Sequence, residues 1–106
     1  MEIGMNKEAE VLIGGEIYVH GQNCWFETAH YGNGRLAIKV MCEIGVIAIL
    51  TVNLPEHELE EGEFFVETYS ENVPVADACR DSGIFCDTGK RVKISKYAEA
   101  EVWRLA

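Results

Sequence analysis

A chain of 106 residues is long enough for one domain with its own apolar core, and needs neither disulfides nor metal to fold. It carries 18 acidic against 9 basic residues, a net charge of −9, which argues against direct binding to nucleic acid because phosphates would be repelled. The four cysteines at 24, 42, 79 and 86 contain no C-x-x-C pair, so neither a disulfide framework nor a structural zinc site is indicated and free packing thiols are expected. No apolar run approaches the roughly 18 residues of a membrane span, and the segment 1–10 is interrupted by Glu2, Lys7, Glu8 and Glu10, so a cytoplasmic protein without membrane contact is expected.

The first ten residues are weakly patterned, suiting an edge strand or a loose arm. Val11 to Ile13 is apolar, Gly14-Gly15 breaks or bulges the chain, and Glu16 to His20 alternates through Ile17 and Val19. Gly21-Gln22-Asn23 reads as a turn. Cys24 to Tyr31 reads as a strand with Trp25, Glu27, Ala29 and Tyr31 on one face and Phe26, Thr28 and His30 on the other. Tyr31-Gly32-Asn33-Gly34 supplies residues that tolerate positive φ and predicts a hairpin turn into Arg35.

From Arg35 to Pro55 two strands are predicted around a tight turn near Gly45. In the first, Leu36, Ile38, Val40 and Cys42 alternate with Ala37, Lys39, Met41 and Glu43, the period of two that sends one face into a core. The second, Val46 to Leu50, is apolar without alternation, which predicts a central strand covered on both faces. The segment 56–63, EHELEEGE, is too short and too charged for a core helix and reads as a surface loop or single helical turn anchored by Leu59. Phe64 to Tyr69 returns to strand character. Asn72 as N-cap, Pro74 in the first turn and Gly83 as terminator predict one short helix over about 73–82. Ile84 to Asp87 and Arg91 to Ile94 flank Thr88-Gly89 as a second predicted hairpin, and Ala100 to Leu105 closes the chain as a strand with Trp103 and Leu105 on one side and Val102 on the other. The reading is a single α+β domain over residues 1–106, a mostly antiparallel, curved or partly closed β-sheet with one helix against it.

Charge is unevenly distributed along this chain. Residues 56–81 hold nine acids, Glu56, Glu58, Glu60, Glu61, Glu63, Glu67, Glu71, Asp77 and Asp81, against Arg80 alone, while residues 82–106 are net positive by two. These nine carboxylates are the candidate partner-binding residues, forming a negative patch. Paired carboxylates beside His57 could also serve acid-base chemistry or hold a hard cation, but the stretch offers little apolar shell to fix them.

Other patterns carry a chemical and a plain reading. Asp87-Thr88-Gly89 matches the loop that gives aspartic proteases their proton-sharing carboxylate, yet Lys90 and Arg91 follow and favour simple ion pairing in a turn where Gly89 is left-handed. A zinc reading would recruit His20, Cys24 and His30 with Cys79 or Cys86, against buried packing residues. The aromatic residues Tyr18, Trp25, Phe26, Tyr31, Phe64, Phe65, Tyr69 and Trp103 suit sheet packing, with some available to anchor an interface. No catalytic residue, metal or cofactor is assigned.

As a set, TVNLP at 51–55, ETYSEN at 67–72, SGIFCDTGKRV at 82–92 and AEVWRL at 100–105 resemble an uncharacterised family of small proteins carried by bacterial conjugative transposons and related mobile elements. The resemblance runs from about Tyr31 to Leu105 and implies a genomic setting without residue roles. Small acidic proteins of such elements include nucleic-acid mimics, whose carboxylates stand in for phosphates in the basic groove of a restriction or CRISPR enzyme. The expected function is therefore a non-enzymatic inhibitor of a basic, nucleic-acid-binding host defence protein. The alternative is an accessory protein of the element that assembles with itself, as a homodimer for instance, or with transfer machinery through an apolar face.

Overall fold

The computed structural model describes residues 11–106, so the expectation of an edge strand or arm over residues 1–10 lies outside the described residues. The α+β reading is correct: seven antiparallel strands form two sheets with one short helix packed against them. The first sheet is a meander of β1 (Ile17–Val19), β2 (Gln22–His30), β3 (Leu36–Cys42) and β4 (Gly45–Ile49). The second has the order β5 (Glu63–Glu67), β7 (Ala98–Leu105), β6 (Phe85–Ser95), and the helix α1 (Val73–Asp81) lies between β5 and β6 in the chain.

The hairpins follow from their turn residues. Val19 pairs with Gln22 across a two-residue turn in which His20 (φ 55°) and Gly21 (φ 77°) are both left-handed, the geometry whose twist suits adjoining strands. The turn therefore falls one residue earlier than the Gly21-Asn23 reading, and Gln22 and Asn23 are already paired. Between β2 and β3 the Tyr31 amide donates to the Arg35 carbonyl and Gly34 (φ 86°) to Tyr31, as the turn chemistry predicts.

The apolar run after Gly45 departs from expectation. β4 is the edge of its sheet, with Val46 and Ile49 exposed, rather than a central strand. The doubly covered strand is β5, where Phe64, Phe65 and Val66 are all buried. The chain switches sheets at the end of the apolar run: the Leu50 amide donates to Ile38, Thr51 bridges Val66, and the Val52 amide donates to Phe65. Buried Thr51 secures this junction, its Oγ accepting the Ile38 amide at 3.1 Å and contacting the Tyr31 hydroxyl at 3.0 Å.

Phe85–Ser95 is likewise one 11-residue strand, not a hairpin about Thr88-Gly89. Four steps along β6 from Asp87 to Arg91 face only two along β7 from Trp103 to Glu101, so two residues bulge out. Thr88 Oγ donates to the Val102 carbonyl and Gly89 takes φ 89°, which lets the strand resume after the bulge. The reversal into β7 comes at Lys96-Tyr97.

The helix forms where Pro74 and Gly83 (φ 80°) bracket it, preceded by a 3-10 turn over Ser70–Asn72. Asn72 does not cap it. Its side-chain amide donates instead to the carbonyls of Ile49 (2.8 Å) and Glu67 (3.3 Å), tying the helix start to the ends of β4 and β5. Val75 and Cys79 face the main core, and α1 packs against β1 and β6, the outermost strands of the two sheets. That core holds Phe26, Ile38, Val40, Leu50, Phe64 and Trp103 among others, with Phe85 edge-on to Phe26 at 5.3 Å between ring centroids. A second, smaller core of Phe65, Ala100 and Val102 lies on the other face of the second sheet, covered by Val52, Leu54, Leu59 and Val92.

Candidate partner-binding surface

The acidic loop after Pro55 covers that second core, and this explains its form. Leu54 and Leu59 pack inward over Phe65, while Glu56, Glu58, Glu60 and Glu61 between and after them are exposed. Arg35, at the entry to β3, reaches under the loop. Its guanidinium donates to the carbonyls of Leu54 (2.7 Å) and His57 (2.5 Å) and stands 5.7 Å from the centroid of the Phe65 ring. The His57 ring meets Phe65 edge-on from the loop side, at 6.2 Å.

The far end of the loop is pinned by charge. The Glu63 amide donates to the Glu60 carbonyl, the Glu63 carboxylate accepts the Glu60 amide, and Lys90 of β6 reaches Glu63 at 2.7 Å and Glu60 at 3.7 Å. The hydrogen bond from Lys90 holds the Glu63 carboxyl below its ordinary range. The loop is thus a fixed display for Glu56, Glu58 and Glu61, with Glu60 partly and Glu63 wholly engaged by Lys90. No other ion pair to these residues occurs among the described residues.

The remaining members of the nine do not join this display. Glu67 closes the other end of β5 and Glu71 lies beyond it, and there burial and then the neighbouring Glu71 charge raise the Glu67 pKa. Asp77 and Asp81 are exposed on α1, which packs on the main-core side of the second sheet, whereas the acidic loop covers its opposite face. The charge excess in one quarter of the sequence therefore divides into an anchored loop, a pair at the strand end and a pair on the helix.

Asp87 has a structural setting. Both its oxygens are engaged: Arg91 donates at 3.0 and 2.9 Å, Arg80 at 3.3 Å, and the Gly89 amide at 2.9 Å. Arg91 above all keeps its carboxyl below the ordinary range, the reverse of the proton-sharing acid that aspartic-protease chemistry needs. Arg80 also donates to Glu101 at 2.8 Å and stands 5.3 Å from the Trp103 ring, whose Nε1 donates to Glu101 at 2.9 Å. This corner joins α1, β6 and β7 through two cations and two anions. Sequence reading gave Arg80 and Glu101 no role, and no local signal points to them because 21 residues separate the pair.

The zinc reading does not converge. Cys24 and Cys79 are fully buried in the main core, His20 sits exposed in a turn and His30 exposed at the end of β2, and no group of three metal-capable side chains occurs among the described residues. Burial pushes the Cys24 thiol up and the Cys79 thiol to about 12, which suits inert packing. Of the aromatic set, Phe26, Phe64, Phe65 and Trp103 are buried, Tyr31 and Tyr69 half-buried, and Tyr18 and Trp25 exposed. No helix of the described residues is long and apolar enough to cross a membrane. Compared with protein-family models, with curated proteins and with solved structures, the chain matches none.

Proposed function

We propose that the protein is a non-enzymatic binding protein of a mobile element, which uses its acidic loop to grip the basic surface of a nucleic-acid-binding host defence protein. The observation that carries this reading is the anchoring of the loop by Arg35. Carboxylates on a floppy segment would lose conformational entropy on binding, whereas Glu56, Glu58, Glu60 and Glu61 project from backbone already tied at Leu54, His57 and Glu63. The division of the nine acids narrows the idea. The grip is local, a short anionic ridge set into a basic groove, rather than a long imitation of a phosphate backbone.

An affinity pull-down from host extract at low and high salt tests this. A basic nucleic-acid-binding partner should be retained at 0.15 M salt and released towards 1 M, as the screening length falls from about 8 Å to about 3 Å. Replacing Glu56, Glu58, Glu60 and Glu61 together by Gln should weaken its binding by about tenfold or more while leaving the fold intact. Retention of the same partner by that variant, with unchanged affinity, would exclude the loop as the binding element.

A further inference from the structure

The fold has four sheet-edge strands, and two of them are protected by their surroundings. β1 is only three residues long and packs against α1. β5 is paired along its outer side by the Thr51 bridge, the Val52 amide and the contact of its Glu67 amide with Leu50. The other two, β4 and β6, have no strand paired along their outer sides among the described residues, although the Ile49 carbonyl at the end of β4 accepts the Asn72 side chain, and they differ in character. β6 and its turn carry Lys90, Arg91, Lys93 and Lys96 and a two-residue bulge, the features that keep an edge from pairing with another chain. β4 carries none of these charges, and its own irregularity is a single-residue bulge at Ile47, where two steps from Val46 to Ala48 face one from Met41 to Val40. Ile44 to Leu50 holds no charge and no proline, with Ile44 84%, Val46 51% and Ile49 41% exposed. The register places Val46 beside Met41 and Met41 beside Trp25, so an apolar row runs from this edge across the outer face of the sheet.

We infer that β4 is the pairing edge of a two-fold homodimer, in which it aligns antiparallel with β4 of a second copy and joins two four-stranded sheets into one of eight. Three observations select a second copy as the occupant. An antiparallel strand pairing with its own copy satisfies the backbone groups of both edges by one isologous contact. Because Ile44 to Leu50 is uncharged, the two copies meet without like charges opposed, although each chain carries −9. A basic partner finds no carboxylate within β4 itself: exposed Glu43 lies in the turn before it, and the exposed acids of the 56–61 loop and of α1 belong to other elements. The inference is independent of the acidic-loop reading, and the two respond oppositely to salt: screening weakens a grip on a basic partner but relieves repulsion between two anionic copies.

Sedimentation of the full chain across about 1 to 500 μM, at 0.15 and 1 M salt, tests it. The mass should rise with concentration from 11.9 kDa towards twice that value, at least as readily in high salt. Amide exchange at residues 45–48 should slow over the same range, while that of the β6 amides at 91–94 stays constant. Ile44→Lys with Val46→Lys, at two solvent-facing positions, should weaken association by about tenfold or more. Ile94→Lys on β6 should leave it unchanged. A constant mass of one chain with concentration-independent exchange at 45–48 would overturn the inference, as would a dimer equally disturbed by Ile94→Lys or one lost only with the loop carboxylates.

Discussion

The loop between Pro55 and Glu63 and the corner where α1 meets β6 and β7 are both rich in charge, and they are organised in opposite ways. In the corner, Arg80, Arg91, Asp87 and Glu101 satisfy one another, and the Trp103 indole N–H closes the set from the core side. In the loop, leucines and a half-buried guanidinium hold the backbone while three carboxylates face water without a counter-ion among the described residues. Charge that closes on itself holds elements together. Charge left open on a fixed backbone is available to a partner.

The largest effect should come from breaking the closed set. Glu101→Ala removes the acceptor of the Trp103 N–H and the strongest partner of Arg80, so it should lower unfolding stability by about 2–3 kcal/mol in denaturant titration. Arg35→Ala comes next. It leaves the His57 carbonyl without its donor and the Leu54 carbonyl with the His57 amide alone, and it uncovers the Phe65 ring, so stability should fall by about 1–2 kcal/mol. If the open set depends on a fixed backbone, partner affinity should fall as well, although no carboxylate has been touched. Equal affinity after Arg35→Ala would show that anchoring is irrelevant to binding.

Acid should then separate the two kinds of carboxylate. Glu63 and Asp87 have lowered pKa values in the folded chain, so their contribution is fully present above their ordinary values of 4.5 and 3.8 and is lost as pH falls through the folded ones. Thermal unfolding between pH 6 and 3 should show that loss, and Asp87→Asn should flatten it. The smallest effect is expected at Glu67, where burial and Glu71 raise the pKa and ionisation therefore opposes folding above it. Glu67→Gln should stabilise the protein slightly at neutral pH, with the gain vanishing in acid below the ordinary value of 4.5.

Local pattern carried much of this fold. The period of two in Leu36–Cys42, the glycine-rich turn before Arg35 and the Pro74–Gly83 bracket of the helix each act within a few residues, and each is found where the sequence places it. The uncharged run at 44–50 is also visible, but its place at a sheet edge is not, because an apolar strand reads alike whether its second face meets a helix, a loop or another molecule. For the candidate site, acidity was legible while its partition was not. Arg35 lies 19 and 22 residues from the carbonyls it holds, and Lys90 reaches the loop from a strand formed much later in the chain.

What the sequence determined by itself is most of the strands, most of their turns and the sign of the charge, since these depend on side-chain periodicity, backbone φ preferences and composition. Only the tertiary structure decided which carboxylates are neutralised, which are fixed in place and which strand edge stays open. Those outcomes depend on the contacts that distant segments make when the two sheets and the helix close over their shared core, and no local pattern encodes such contacts.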